Sequence, residues 1–131
     1  MNKKYLSIFI VLLIIAILVI GCSSRDLSKP STRLVGHWAY FPIEDRDDPE
    51  LEEYFGALDE DSVGSVVLIG GDPYPFYAQY RVLSESGDTV TIELFIGTDP
   101  IATRSYEVAK DGQSMMYRNL EYQYIDSKAK P

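Results

Sequence analysis

Thr89 to Ile96 reads Thr-Val-Thr-Ile-Glu-Leu-Phe-Ile, with Val90, Ile92, Leu94 and Ile96 apolar at every second position. Only an extended strand sets residues two apart on one face, so these four are expected to share a core. The same period recurs through much of the chain. Leu34, Gly36, Trp38 and Tyr40 alternate with Val35, His37, Ala39 and Phe41, and Phe76, Ala78, Tyr80 and Val82 alternate with Tyr77, Gln79, Arg81 and Leu83. Ile101 to Ala109 places Ala102, Arg104, Tyr106 and Val108 together, Ser62 to Ile69 is a β-branched run, and Ser114 to Tyr117 and Leu120 to Ile125 supply two more strands.

Between these runs stand turn signals: Gly70-Gly71-Asp72-Pro73, Ser86-Gly87-Asp88, Gly97-Thr98-Asp99-Pro100 and Asp111-Gly112. Connections this short join antiparallel neighbours, because parallel pairing needs long crossovers. The expected fold is therefore mostly β, a small antiparallel β-barrel or half-barrel of about seven strands.

One segment departs from the pattern. Glu44 to Asp61 holds ten carboxylates and a single arginine, Arg46, while Leu51, Tyr54, Phe55 and Leu58 fall at helical spacing behind Asp48-Pro49. A cap, a proline at the first helical position and an apolar stripe predict one short helix over the end or edge of the sheet. The carboxylates also raise calcium. Asp59-Glu60-Asp61-Ser62-Val63-Gly64 fails the calcium-loop pattern at Val63 and at the twelfth position, Gly70, so a solvated acidic face is the reading these residues favour. No cofactor or metal is expected.

The start of the chain determines where the rest will live. Lys3 and Lys4 precede an apolar run from Leu6 to Ile20, which closes on Val19-Ile20-Gly21-Cys22, and Cys22 is the only cysteine. A charged start, an apolar middle and a small residue before a cleavage point form an export signal. Read instead as a membrane-spanning helix, fifteen residues reach only ~22 Å against a hydrocarbon thickness of about 30 Å. The tetrapeptide resembles the lipobox of bacterial lipoproteins at all four positions. That resemblance implies a signal helix over 1-21, cleavage at Gly21-Cys22 and a diacylglyceryl group on Cys22, with palmitate-type chains. Two chains hold firmly where one binds only marginally. The expected location is extracytoplasmic, lipid-anchored to the cell membrane; Ser23 implies, by resemblance to sorted lipoproteins, the outer membrane where the cell has two.

Residues 22-33 are polar, carry Pro30 and lack apolar periodicity, so they are expected to form a lipidated N-terminus and flexible tether, with the β-domain over 34-131. The 131 residues less the first 21 leave 110, a single-domain length. With Lys3 and Lys4 removed, the 12 basic residues become 10 against 20 acidic, a formal charge of about −10. Nucleic acid is excluded by that sign, because phosphate backbones require clustered Lys and Arg.

At Gly36-His37-Trp38 the chain resembles the lipocalin and wider calycin families, whose first strand carries Gly-x-Trp with the Trp closing one end of an antiparallel barrel. Thr98-Asp99 faintly resembles the families' second motif, with Pro100 where an aromatic residue is expected. The resemblance implies a lipocalin-like barrel; an open sandwich or half-barrel is the alternative. Barrels of this size either fill with side chains or leave room for a small ligand. Trp38, Tyr40, Tyr80, Arg104, Tyr106 and Tyr122 are the candidate ligand-lining residues, with core or rim packing as the plainer role and, for Arg104, snorkelling from a barrel mouth.

Catalysis finds little footing. Lipidation consumes the only thiol, His37 is the only histidine, and no Gly-x-Ser-x-Gly occurs. The chain is expected not to be an enzyme. Two roles remain: a lipid-tethered module binding a small apolar or amphipathic molecule, or an envelope protein with a solid barrel. The latter would dock partners through an edge strand, the acidic helix or Asp72-Pro73-Tyr74-Pro75-Phe76-Tyr77.

Overall fold

The computed structural model describes residues 25-42, 48-70 and 75-131. The signal segment 1-21, Cys22 and Asp72 to Tyr74 lie outside these residues. One helical turn, α1 (Pro30–Arg33), precedes eight strands: β1 (Gly36–Tyr40), β2 (Leu51–Phe55), β3 (Val63–Gly70), β4 (Phe76–Ser86), β5 (Thr89–Ile96), β6 (Asp99–Val108), β7 (Ser114–Tyr117) and β8 (Leu120–Asp126). Each strand pairs antiparallel with the next and β8 pairs with β1, so the sheet closes into a barrel. Closure leaves no edge strand among them.

The alternation read in the sequence sets the inner face. Cross-strand partners Trp38, Glu53 and Leu68 form one row from β1 to β3, and Ile92 with Arg104 and Val90 with Tyr106 continue the pattern on β5 and β6. Trp38, Phe55, Tyr80, Ile92, Tyr106 and Val108 are fully buried. Each such aliphatic or aromatic side chain contributes roughly 1.5–3 kcal/mol by leaving water. Phe55 is the hub, meeting Tyr80 and Tyr106 edge-on with ring centroids 5.5 Å apart in both cases.

The helix expected over the Leu51 to Leu58 stripe is a strand instead, β2, and it is the eighth strand missing from the sequence reading. Leu51, Tyr54 and Phe55 satisfy helical spacing, but Leu51 and Phe55 also satisfy period two with Glu53 between them. Tertiary pairing overrides the local stripe: β2 takes five consecutive partners on β1 and five on β3. Tyr54 points outward yet is buried, stacked on His37 with centroids 4.0 Å apart, which is why apolar residues of both parities looked like one helical face. Leu58 lies beyond the strand and is 36% exposed. Ile96 also departs from expectation. A register shift between Leu94 and Phe95 ends the alternation, leaving Ile96 half exposed.

The 22-33 tether is corrected from Arg25 onward: this stretch is docked on the barrel. Arg25 donates to the Gly112 carbonyl at 2.6 Å and to the Arg33 carbonyl at 2.7 Å, with its guanidinium 3.5 Å from the Tyr124 ring centre. Arg33 is buried and donates to the Leu27 carbonyl and to Asp88 Oδ1. The Ser31 amide donates to Glu85 Oε1 at 2.7 Å. Polar groups satisfied across the barrel end leave no apolar period in the sequence, so the docking was invisible there.

The barrel therefore has two unlike ends. At one, α1, Leu34 and Trp38 form a plug, near the 56-62 loop and the turns at Gly87 and Gly112. At the other, the turns between β5 and β6 and between β7 and β8 surround an opening.

Candidate functional site

The open end leads into a cavity of about 620 Å³. Leu51 on β2, Leu68 on β3, Leu94 on β5, Ala102 on β6 and Leu120 on β8 form its apolar wall, with Phe76 and Ile101 at the rim. These residues sit where the strands approach the mouth, so their inward parity continues that of the core below. Phe76 and Ile101 are 41% and 46% exposed.

The base of the cavity is polar. Glu53 is 3% exposed inside the barrel. Its Oε1 accepts from the Tyr106 hydroxyl at 2.5 Å and from Arg104 Nη1 at 3.4 Å, and Arg104 Nη1 also donates to the Tyr106 oxygen at 3.1 Å. The guanidinium lies 4.7 Å from the Tyr117 ring centre, a cation–π contact that fixes its plane. Burial raises the Glu53 pKa above the ordinary carboxylate value, outweighing Tyr106, Arg104 and Tyr122, which act to lower it. Burial likewise raises the Tyr122 and Tyr106 hydroxyls, reinforced by the Glu53 charge. The cluster thus sets a carboxyl group and a guanidinium in mutual contact, with phenol groups around them.

The expected residues divide between the two ends. Arg104 and Tyr122 line the cavity, and Tyr106 lies beneath it, reaching Glu53. Tyr40 is half-buried at the mouth end of β1, against Tyr122 with centroids 6.1 Å apart. Trp38 and Tyr80 belong to the closed half. Trp38 Nε1 donates to the Leu34 carbonyl at 2.8 Å, the Tyr80 hydroxyl donates to the Gly56 carbonyl at 2.6 Å, and neither borders the cavity. Glu53 and Tyr117 escaped the sequence reading. Helical spacing puts Glu53 on a solvated face, whereas its place midway between Leu51 and Phe55 makes it inward in a strand.

On the outer face, His37 Nε2 and Glu52 Oε1 are 2.9 Å apart, and His37 Nδ1 stands 3.6 Å from Asp126 Oδ1. Burial, with Glu52 and Asp126 nearby, pushes the Tyr54 hydroxyl up to about 12. This group clamps β1 to its neighbours β2 and β8 on the outer face of the barrel. Among the described residues, no group of three or more His, Cys, Asp or Glu is placed to hold a metal ion. Asp59 serves its own loop, accepting from the Asp61 and Val63 amides.

Comparison with known proteins finds no family model that matches the chain, and no curated protein or solved structure with significant similarity to it.

Proposed function

We propose that this chain is an extracytoplasmic lipoprotein, held to the membrane through Cys22, whose barrel binds a small apolar or amphipathic molecule in the mouth cavity. The observation that carries the reading is the pairing of an aliphatic wall with a buried polar base at Glu53, Arg104 and Tyr122. Such a lining suits a molecule with a hydrocarbon body and a few polar atoms. At the base Arg104 is already engaged by Glu53 and Tyr106, so an ionised head group buried there would lose its hydration without a free counter-charge to meet it, the cation Arg118 standing exposed at the rim instead. An uncharged head, hydroxyl or amide, is the chemistry that the base fits.

Binding rather than catalysis is favoured by what faces the cavity, whose lining includes no serine or histidine among the described residues. The lipid anchor rests on the lipobox resemblance at Val19-Ile20-Gly21-Cys22 and on the charged, apolar segment before it. In a cell with two membranes, Ser23 favours the outer one.

Native mass spectrometry of the full protein, released from membranes in mild detergent, tests the reading. A co-purifying small molecule, or uptake of added monoacylglycerol, is expected. A species that is always ligand-free and takes up no monoacylglycerol overturns it. The second reading, a docking protein of the envelope, draws on the exposed rings of Phe76 and Tyr77, 41% and 61% accessible at the start of β4. Its edge-strand form loses support because the barrel is closed.

A further inference from the structure

We infer that the plugged end of the barrel lies against the bilayer and that the mouth opens away from it, so that ligand enters from the aqueous side rather than from the anchoring leaflet. This inference rests on lipidation at Cys22, and its geometry comes from the docked N-terminal segment. Three peptide steps separate Cys22 from Arg25, a span of at most ~11 Å. Arg25 is not free to swing: its guanidinium is bonded to the Gly112 and Arg33 carbonyls and lies over Tyr124. All three partners belong to the plugged end, where α1, the β6–β7 turn and the last part of β8 meet.

A strand of eight residues, such as β5, runs ~26 Å, or ~20 Å along the axis at a barrel's usual tilt. The tether is about half that length. While Arg25 and Arg33 stay docked, it holds the plugged end at the headgroups, and an upright barrel then carries its mouth away from them. The distribution of lysines is consistent with this pose. Lys29 precedes α1, Lys110 sits in the β6–β7 turn, and Lys128 and Lys130 follow β8 where it ends beside Arg25. These are all the lysines beyond Cys22. Carboxylates share that end, including Asp26, Asp111 and Asp126, so the tether and not net attraction sets the pose. Val35 and Leu58 border a second hollow beside Arg25 and add apolar surface on the membrane-facing side.

Acylation blocks Cys22, so an introduced cysteine is the one free thiol available for labelling. The test places a donor fluorophore at Ala57→Cys, on the plugged end, or at Thr98→Cys, at the mouth. The lipidated protein is reconstituted into phosphatidylethanolamine and phosphatidylglycerol vesicles carrying a headgroup acceptor. Energy transfer is expected to be several-fold stronger from position 57. Inserting ten Gly-Ser residues after Ser24 is expected to reduce that difference. Equal transfer, or stronger transfer from position 98, overturns the orientation. The lipid reading is tested separately with Cys22→Ser: if that variant stays on vesicles with unchanged transfer, lipidation is overturned and the orientation argument falls with it.

Discussion

The Tyr106 hydroxyl donates to Glu53 Oε1 at 2.5 Å, tying β6 to β2 through the interior of the barrel. This bond is the shortest support of a carboxylate that has only 3% of its surface exposed. Replacing Tyr106 with Phe removes the donor and leaves the acceptor in place, which costs about 1–3 kcal/mol when a buried polar group loses its partner. Urea unfolding of Tyr106→Phe is expected to show a lowered midpoint with an unchanged slope. An unchanged midpoint would mean that Arg104 and Tyr122 suffice.

The raised pKa of Glu53 predicts a pH dependence with a definite sign. The unfolded carboxylate titrates near ~4.3, and the folded one higher, chiefly through burial. Between those values the native state binds more protons than the unfolded state, so this group's contribution falls as pH rises. Stability measured relative to Glu53→Gln should decline from about pH 4.3 upward and level off above the folded-state pKa. A difference that grows with pH in this window would reverse the assignment.

Ala102 pairs across from Leu94 on the cavity wall. Tryptophan there projects into the opening and takes up the space that a ligand body would occupy. Ala102→Trp is expected to weaken monoacylglycerol binding by at least about tenfold, ~1.4 kcal/mol, while leaving the circular dichroism spectrum unchanged. Undiminished binding would place the ligand elsewhere.

The strands legible in the sequence were those whose inner faces are mostly apolar and whose outer faces are mostly polar. Val90, Ile92 and Leu94 needed no tertiary information, and all three are buried. β2 was illegible because its inner face carries Glu53 and its outer face carries Tyr54, reversing the polarity that alternation relies on. The site was read in part for the same reason. Arg104 and Tyr122 stand among core residues at fixed parity, but the partner that gives Arg104 its place lies fifty-one residues away on the misread strand. Trp38 and Tyr80 share that parity and lie too deep. Parity tells which face a side chain is on, not how far along the barrel axis it sits.

Arg33 fastens the N-terminal segment, with Asp88 and the Leu27 and Val108 carbonyls as its acceptors. Arg33→Ala is expected to destabilise the barrel by about 1–3 kcal/mol, less than a fully buried ion pair because Asp88 is one-third exposed. Limited trypsin digestion should then cut faster at Arg25, the Lys29 bond being blocked by Pro30. Unchanged cleavage would argue that α1 holds without the guanidinium.

Gly64 faces Tyr80 across the β3–β4 ladder. A Cβ there would stand 2.4 Å from Tyr80 Cε1 and 2.8 Å from the Gly56 carbonyl oxygen, the atom that accepts from the Tyr80 hydroxyl. Gly64→Ala should therefore cost about 1–3 kcal/mol by overpacking and disturb the Tyr80 bond. Differential scanning calorimetry showing an unchanged melting temperature would count against this packing.

The seam between β1 and β8 joins His37, Trp38 and Ala39 to residues some eighty-five positions later. Bringing such remote stretches together has an entropic cost that is recovered only when the final strand arrives. A chain lacking Leu120 to Asp126 would keep two raw margins and an uncovered Trp38. Emergence of β8 thus becomes the moment at which the barrel can close, and any intermediate stalled before it offers both margins to a neighbouring copy.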